Sequence, residues 1–336
     1  MVAAPPRAAS RGGYDLAALV QYGIATAPLG LLSAATRVRL AAIPAVLPPV
    51  FAVGAFELHL AGPDRVDFEA CVHAGVGGRA MLAAAFADGW ERTVAFLRAW
   101  ADPESALYQG IDAAWLELDL NGPGIPSPFI VFTLARDTDE RGPYTSRHEP
   151  ALRQGLRLLA GGVEERVMRA VERVIAGLAP TGMLVHAGIR PFPSGPVVRL
   201  VARLPRPLMP AYLEQIGWPG SGTEFAAVMQ RLCPQTVVHA LNLDVGASVG
   251  PRLGVEYHFR GSPVDDPRWR SLFDGLVAAG ACTLARRDVL ARWKPPRAVR
   301  ADAPLRELLV KVVYESGRPL TAKAYLPYAP GPWLAT

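Results

Sequence analysis

Three pairs of ionisable side chains at i, i+2 stand out within alternating stretches of this 336-residue chain. They are Glu57 with His59, Glu117 with Asp119, and Glu256 with His258. On a β-strand that spacing puts both groups on one face, roughly 6 to 7 Å apart. A carboxylate beside an imidazole is a usable acid–base pair. Two crowded carboxylates raise the pKa of one, which makes it a general acid or base. The same two carboxylates would also suit a Mg2+ ion. The plainer reading of the acids is salt bridging to arginine. For the histidines, including His186, it is a structural hydrogen bond.

A second set of residues is cationic. Lys311 precedes a turn and Lys323 follows it, with Tyr325 on the same face as Lys323. Arg199 and Arg203 share one face of another strand. Lys, Arg and Tyr donors that converge on one point make an anion site. Each has an ordinary alternative as surface charge on a strand. Trp115 shares its face with Glu117 and would supply an aromatic wall.

The elements that must position these residues repeat along the chain. Five ββ units occupy residues 55–72, 115–135, 183–204, 236–260 and 308–328. The last is typical: Val310, Val312 and Tyr314 share one face, and a Glu-Ser-Gly-Arg-Pro turn leads to a return strand with Ala322, Ala324 and Leu326 on one face. Helical periodicity fills the intervals, from Tyr14 to Leu47, Gly78 to Trp100, Ala151 to Leu178, Leu208 to Leu232 and Asp266 to Trp293. Asp266-Pro267 is a start signal, an N-cap followed by proline at the first helical position. Regular repetition of this kind is weighed first in assigning architecture. It predicts an α+β fold in which ten antiparallel strands close into a barrel surrounded by helices. The apolar faces would pack outward on the helices and the ionisable faces would line a lumen wide enough for a ligand. Two or three smaller α+β domains are the alternative.

Five ββ units with intervening helices resemble the PT barrel, or ABBA fold, of soluble aromatic and peptide prenyltransferases. The resemblance spans nearly the whole chain and is one of architecture. Its most specific local match is Lys323-Ala-Tyr325, similar to the Lys-x-Tyr pairs that hold prenyl diphosphate in indole-type members. The resemblance implies that Lys311, Lys323, Tyr325, Arg199 and Arg203 would hold a diphosphate. It also implies that an early-strand glutamate, Glu57 or Glu117, would engage the acceptor. The Asp-rich metal motifs of terpene synthases are lacking, as they are in that family. No cofactor is therefore expected to be required, with Mg2+ left as an option. Trp115 and Tyr325 are the clear aromatics of the lumen faces, and the acids there nearly balance the cations.

Composition narrows the setting. Hydrophobic residues make up 51% and charged residues 19%, enough for a large core and against general disorder. The net charge of +5 is spread without a basic block, which argues against nucleic-acid binding. Cys71, Cys233 and Cys282 are far apart with no CxxC, and no HxxH or HxxxH occurs, so neither a disulfide framework nor a dedicated metal site is expected. The apolar run from Leu40 to Phe56 is broken by Pro44, Pro48 and Pro49, against a membrane span. The N-terminus lacks a signal-peptide pattern, so the cytoplasm is the expected location. Residues 1–13 read as a loose tail and 14–336 as one barrel domain.

Three functions fit. The first is prenyl transfer from an allylic diphosphate to an aromatic compound or a peptide side chain. The second is hydrolysis or another acid–base reaction on a peptide or small molecule in the same barrel. The third is a non-catalytic barrel that binds a peptide or small ligand.

Overall fold

Alternation of apolar and ionisable residues sets the architecture seen in the computed structural model. It describes residues 14–47, 50–51, 53–74, 79, 90–120, 128–135, 148–190, 195–234, 238–259, 261–293 and 308–328. The expected tail, the start of the helix expected from Gly78, and parts of several turns lie outside these residues.

Two short strands, β1 (Tyr14–Asp15) and β2 (Val50–Phe51), pair with each other. The other ten form one closed antiparallel barrel. They are β3 (Val53–His59), β4 (Val66–His73), β5 (Ile111–Leu118), β6 (Phe129–Leu134), β7 (Met183–Arg190), β8 (Val197–Pro205), β9 (Val238–Val245), β10 (Val249–His258), β11 (Leu309–Tyr314) and β12 (Thr321–Tyr328). Consecutive strands pair in order, and β12 closes the ring on β3. Closure leaves no edge strand unpaired. Five hairpin turns therefore gather at one end of the barrel, and the helical connections leave from the other.

Ten α-helices are present among the described residues. They are α1 (Leu16–Thr26), α2 (Ala34–Ala41), α3 (Glu91–Ala101), α4 (Ala106–Gly110), α5 (Glu149–Ala160), α6 (Glu165–Ala176), α7 (Met209–Gln215), α8 (Gly222–Leu232), α9 (Pro267–Ala278) and α10 (Leu284–Ala291). Side chains of Asp15, Ser33, Ser105, Ser221, Asp266 and Thr283 accept hydrogen bonds from first-turn amides and fix where helices begin. Pro267 follows its cap as expected.

The core lies between barrel and helices, not inside the barrel. Phe56, Phe68, Leu116, Phe132, Leu200, Leu243, Val255 and Val312 all point outward and are buried completely or nearly so. Tyr328 shows how close the layers come. A Cβ on Gly54 would sit 2.6 Å from its ring, and one on Gly23 of α1 would sit 2.8 Å from it. Only glycine lets β3 and α1 clasp that ring.

Several boundaries differ from the sequence reading. β5 ends at Leu118, so Asp119 lies just beyond the strand rather than on it. β10 starts at Val249, before the expected Arg252, and its register shifts between Val249 and Leu253. Similar shifts interrupt β5 near Ile111 and β7 near Leu184. Such bulges add a residue and increase local twist, which helps a sheet curl into a barrel. The short strand pair at Tyr14 and Val50 and the five-residue helix after Ser105 carry too few residues for periodicity to reveal them.

Candidate active site

The lumen-facing side chains divide by charge around the ring. β3, β4 and β5 contribute Glu57, Asp67, Glu69 and Glu117, with Asp119 at the rim. β7, β8, β10, β11 and β12 contribute Arg190, Arg199, Arg252, Lys311 and Lys323, with Asp244 of β9 among them. Together these groups line a cavity of about 90 Å3. That volume admits several waters or a small head group. A larger ligand must displace side chains that now bridge the lumen.

Closure of β12 on β3 builds the first cluster. Tyr325 sits opposite Glu57, and Lys323 sits opposite His59. The Lys323 ammonium donates to Glu57 and lies 3.6 Å from Asp67, which also lies 3.8 Å from His59 Nε2 and accepts from the Leu120 amide at 3.2 Å. Burial opposes charge on Glu57, but Lys323, Lys311 and a hydrogen bond from Tyr325 outweigh it and hold the carboxyl at about 2. Burial and the charge of Glu57 push Tyr325 well above the usual phenol range, so it stays a neutral donor. Burial also raises Asp67, against the pull of His59 and Lys323.

The second cluster is a two-pronged ion pair. Arg199 Nε donates to Asp244 Oδ1 at 2.6 Å, and its terminal nitrogen to Oδ2 at 3.0 Å. The two residues are direct cross-strand partners. Burial works against both charges, yet the pairing raises the arginine and lowers the aspartate. Nearby, Asn242 donates to Glu256 at 2.8 Å, and Lys311 lies 4.0 Å from the same carboxylate. Burial and the proximity of Arg199 pull Lys311 below the usual lysine range.

The third feature is a carboxyl pair. Glu69 of β4 and Glu117 of β5 are direct cross-strand partners facing the cavity. Burial, then the charges of Glu117 and Glu57, raise Glu69 well above the usual carboxyl range. Burial lifts Glu117 to about 7 against Lys311, with Glu57 adding to the rise. One lumen thus holds an ionised carboxylate at Glu57 and a carboxyl at Glu117 that keeps its proton near neutrality. Environments that push two acids apart are a mark of acid–base assignment.

The candidates named from sequence are distributed as follows. Glu57, Glu117, Asp119, Arg199, Lys311, Lys323 and Tyr325 line the cavity. His59 joins through Asp67, and Glu256 through Asn242 and Lys311. Arg203, His186, Trp115 and His258 do not line it. Arg203 pairs in register with Met183 and Ala240, toward the helix-connection end. His258 is exposed at the end of β10, two residues beyond Glu256. His186 Nδ1 is 2.9 Å from Thr133 Oγ1, and its ring meets Trp115 edge-on at 6.5 Å, so the two pack as one deeper contact. The pairing of Glu117 with Asp119 gives way to that of Glu117 with Glu69, because β5 has ended before Asp119. The cavity also takes in Glu69, Asp244 and Arg190, expected on lumen faces but assigned no role from sequence, and Asp67. Alternation alone placed Glu69 on the lumen face, but only register put it opposite Glu117.

Among the described residues, Glu57, His59 and Asp67 form a group of metal-ligating side chains whose donor atoms all lie within 4.8 Å of one another. Two carboxylates and an imidazole suit a first-row divalent ion better than Mg2+. Any ion there would have to displace the Lys323 ammonium, which bridges two of the three.

Searches with the sequence find no matching protein-family model and no matching curated protein. Solved structures do match. One is AnaPT from Neosartorya fischeri, with a TM-score of 0.55 and 12% identity over 93% of this chain and 88% of that one. A second is the prenyltransferase PriB in ternary complex with L-tryptophan and dimethylallyl thiolodiphosphate, with a TM-score of 0.54 and 15% identity over 94% and 95%. A third is 5-dimethylallyltryptophan synthase from Streptomyces coelicolor, with a TM-score of 0.51 and 13% identity over 93% and 97%. The chain has the PT-barrel fold. At such low identity the match establishes the fold alone. No helix among the described residues is long and apolar enough to cross a membrane.

Proposed function

We propose that this PT barrel transfers a prenyl group from an allylic diphosphate to an acceptor bound in the same lumen. The observation that carries this reading is the segregation of charge: Arg190, Arg199, Lys311, Lys323 and Tyr325 converge from one side of a cavity whose other side is acidic. Ionising an allylic diphosphate requires positive charge around the leaving group. The fold neighbour PriB holds a dimethylallyl thiolodiphosphate together with L-tryptophan, which supports two ligands in one barrel.

The lumen cations are already paired with carboxylates, so diphosphate binding is an exchange. Lys323 would turn from Glu57, and Arg199 from Asp244, toward phosphate oxygens. Glu57, relieved of its ammonium, would then be the base that takes the acceptor's proton. Glu69 and Glu117 favour this exchange while protonated, since they then add no negative charge beside the anion.

Calorimetry with dimethylallyl and geranyl diphosphate tests the reading. Saturable binding that Lys323→Ala weakens at least tenfold is expected. A folded protein that binds neither compound would sink it.

A second reading is supported by the split between Glu57 and Glu117. An ionised and a protonated carboxyl in one lumen are the parts of a general base and a general acid, and they need no diphosphate. Hydrolysis of a peptide or small molecule is the reaction class. It would gain if diphosphates fail to bind while Glu57→Gln and Glu117→Gln each abolish turnover of a substrate found by screening.

A further inference from the structure

Nearly every charged group of the lumen has a partner within the protein. Glu57 has Lys323, Asp244 has Arg199, and Glu256 has Asn242. Glu69 and Glu117 differ. They face each other across β4 and β5 and point into the cavity. Neither has a hydrogen-bond or salt-bridge partner among the described residues. Both are part-buried and line the cavity, so a ligand there meets two carboxyls able to pair with it. Neighbouring like-charged groups on paired strands destabilise a sheet, so the pair is not there for stability.

We propose that Glu69 and Glu117 form the acceptor subsite and that the acceptor presents a cationic nitrogen group there, a guanidinium in the first instance. The proposal rests on the prenyl-transfer reading for its chemistry and on the paired carboxyls for its specificity. Cross-strand side chains lie about 5 Å apart at their Cβ atoms, so two carboxylates stand side by side. A planar guanidinium offers several N–H donors in a fixed fork that matches such a pair. Docking a cation between the two acids favours their ionised forms, and one proton leaves the pair as the cation enters. The diphosphate is held by the opposite wall, so the two substrates meet with opposite charges apart and reacting atoms together.

The reaction balances without a further co-reactant. The allylic C–O bond breaks and its electron pair leaves with the diphosphate. The guanidinium gives up one N–H proton to Glu57, freed from Lys323, and the nitrogen lone pair so released forms the new C–N bond to the allylic carbon. That proton passes from Glu57 to solvent. The products are the N-prenylated guanidinium, diphosphate and one proton.

The test uses n-butylguanidine and its neutral isostere n-butylurea, each titrated by calorimetry into the full chain, with dimethylallyl diphosphate titrated separately. The expected result is that n-butylguanidine binds at least tenfold tighter than n-butylurea, and that Glu69→Gln and Glu117→Gln each remove most of that preference. Equal binding of the two compounds to the wild type overturns the proposal even if a variant fails to fold. Guanidine binding unchanged in both variants overturns it as well. If n-butylguanidine behaves as expected while dimethylallyl diphosphate does not bind, the cation subsite stands and prenyl transfer falls. If the diphosphate binds and the guanidine preference is missing, prenyl transfer stands and the guanidinium acceptor falls.

Discussion

Tyr325 of β12 stands directly opposite Glu57 of β3, at the seam where the last strand of the barrel closes on the first. Its phenol donates to that carboxylate, and Lys323, two residues earlier, donates to it as well. The seam is therefore both the closure of the fold and the place where Glu57 is held ionised despite its burial.

Removing one partner at this seam should be costly. Glu57→Gln leaves the Lys323 ammonium enclosed with a weaker partner, and a loss on the order of 3 kcal/mol is expected from urea unfolding. Lys323→Met should lose a similar amount by stranding Glu57. The double variant should be more stable than the sum of the singles predicts, because neither charge is then left enclosed without its counterpart. Simple additivity would show that the two residues do not depend on one another.

Glu117 should make stability fall as pH rises. Its folded pKa of about 7 lies above the ordinary carboxyl value, so the folded state holds a proton that the unfolded state has released. The carboxyl is harmless below its unfolded pKa, and stability is lost as pH climbs through the folded value. Unfolding midpoints at about pH 5 and about pH 8 should differ in that direction, and Glu117→Gln should flatten the difference. Glu57 has the opposite sign. Its folded pKa of about 2 contributes stability above the ordinary value, and this is lost as pH falls toward 2. A Glu117→Gln profile identical to wild type would remove Glu117 from the account.

Asp244 should compete with an anion for Arg199. In Asp244→Asn the guanidinium keeps its position but loses its counter-charge. Inorganic pyrophosphate should then bind about tenfold tighter than to wild type, measured by calorimetry at low salt. Weaker binding would mean that Asp244 positions the arginine for the ligand instead of masking it.

Gly54→Ala should destabilise the barrel without touching the lumen. The new methyl group would meet the Tyr328 ring at 2.6 Å, and that ring is buried against Phe56 at a centroid distance of 4.6 Å. Overpacking of this kind costs about 2 kcal/mol. Thermal unfolding should show the loss, with ligand binding at the opposite face of β3 unchanged. A melting temperature equal to wild type would mean that β3 and α1 part easily here.

The sequence by itself determined the ten barrel strands, most of the helices between them, and the lumen side of strands such as β3 and β11. Period-two alternation in stretches such as Phe56–Leu60 and Val310–Tyr314 is enough for that, because a buried apolar face fixes which way a strand turns. Aspartate, serine and threonine caps likewise marked helix starts that the structure keeps, as at Asp266 and Thr283. What only the tertiary structure decided is which charges meet. Lys323 and Glu57 lie 266 positions apart and touch because β12 and β3 close the ring. Glu69 finds Glu117, and Arg199 finds Asp244, through cross-strand register. The same register carries Arg203 and His258 away from the cavity, although they share strand faces with Arg199 and Glu256. Alternation is local and reports the face of a strand. Depth along the barrel depends on strand stagger, bulges and closure, which no single segment encodes.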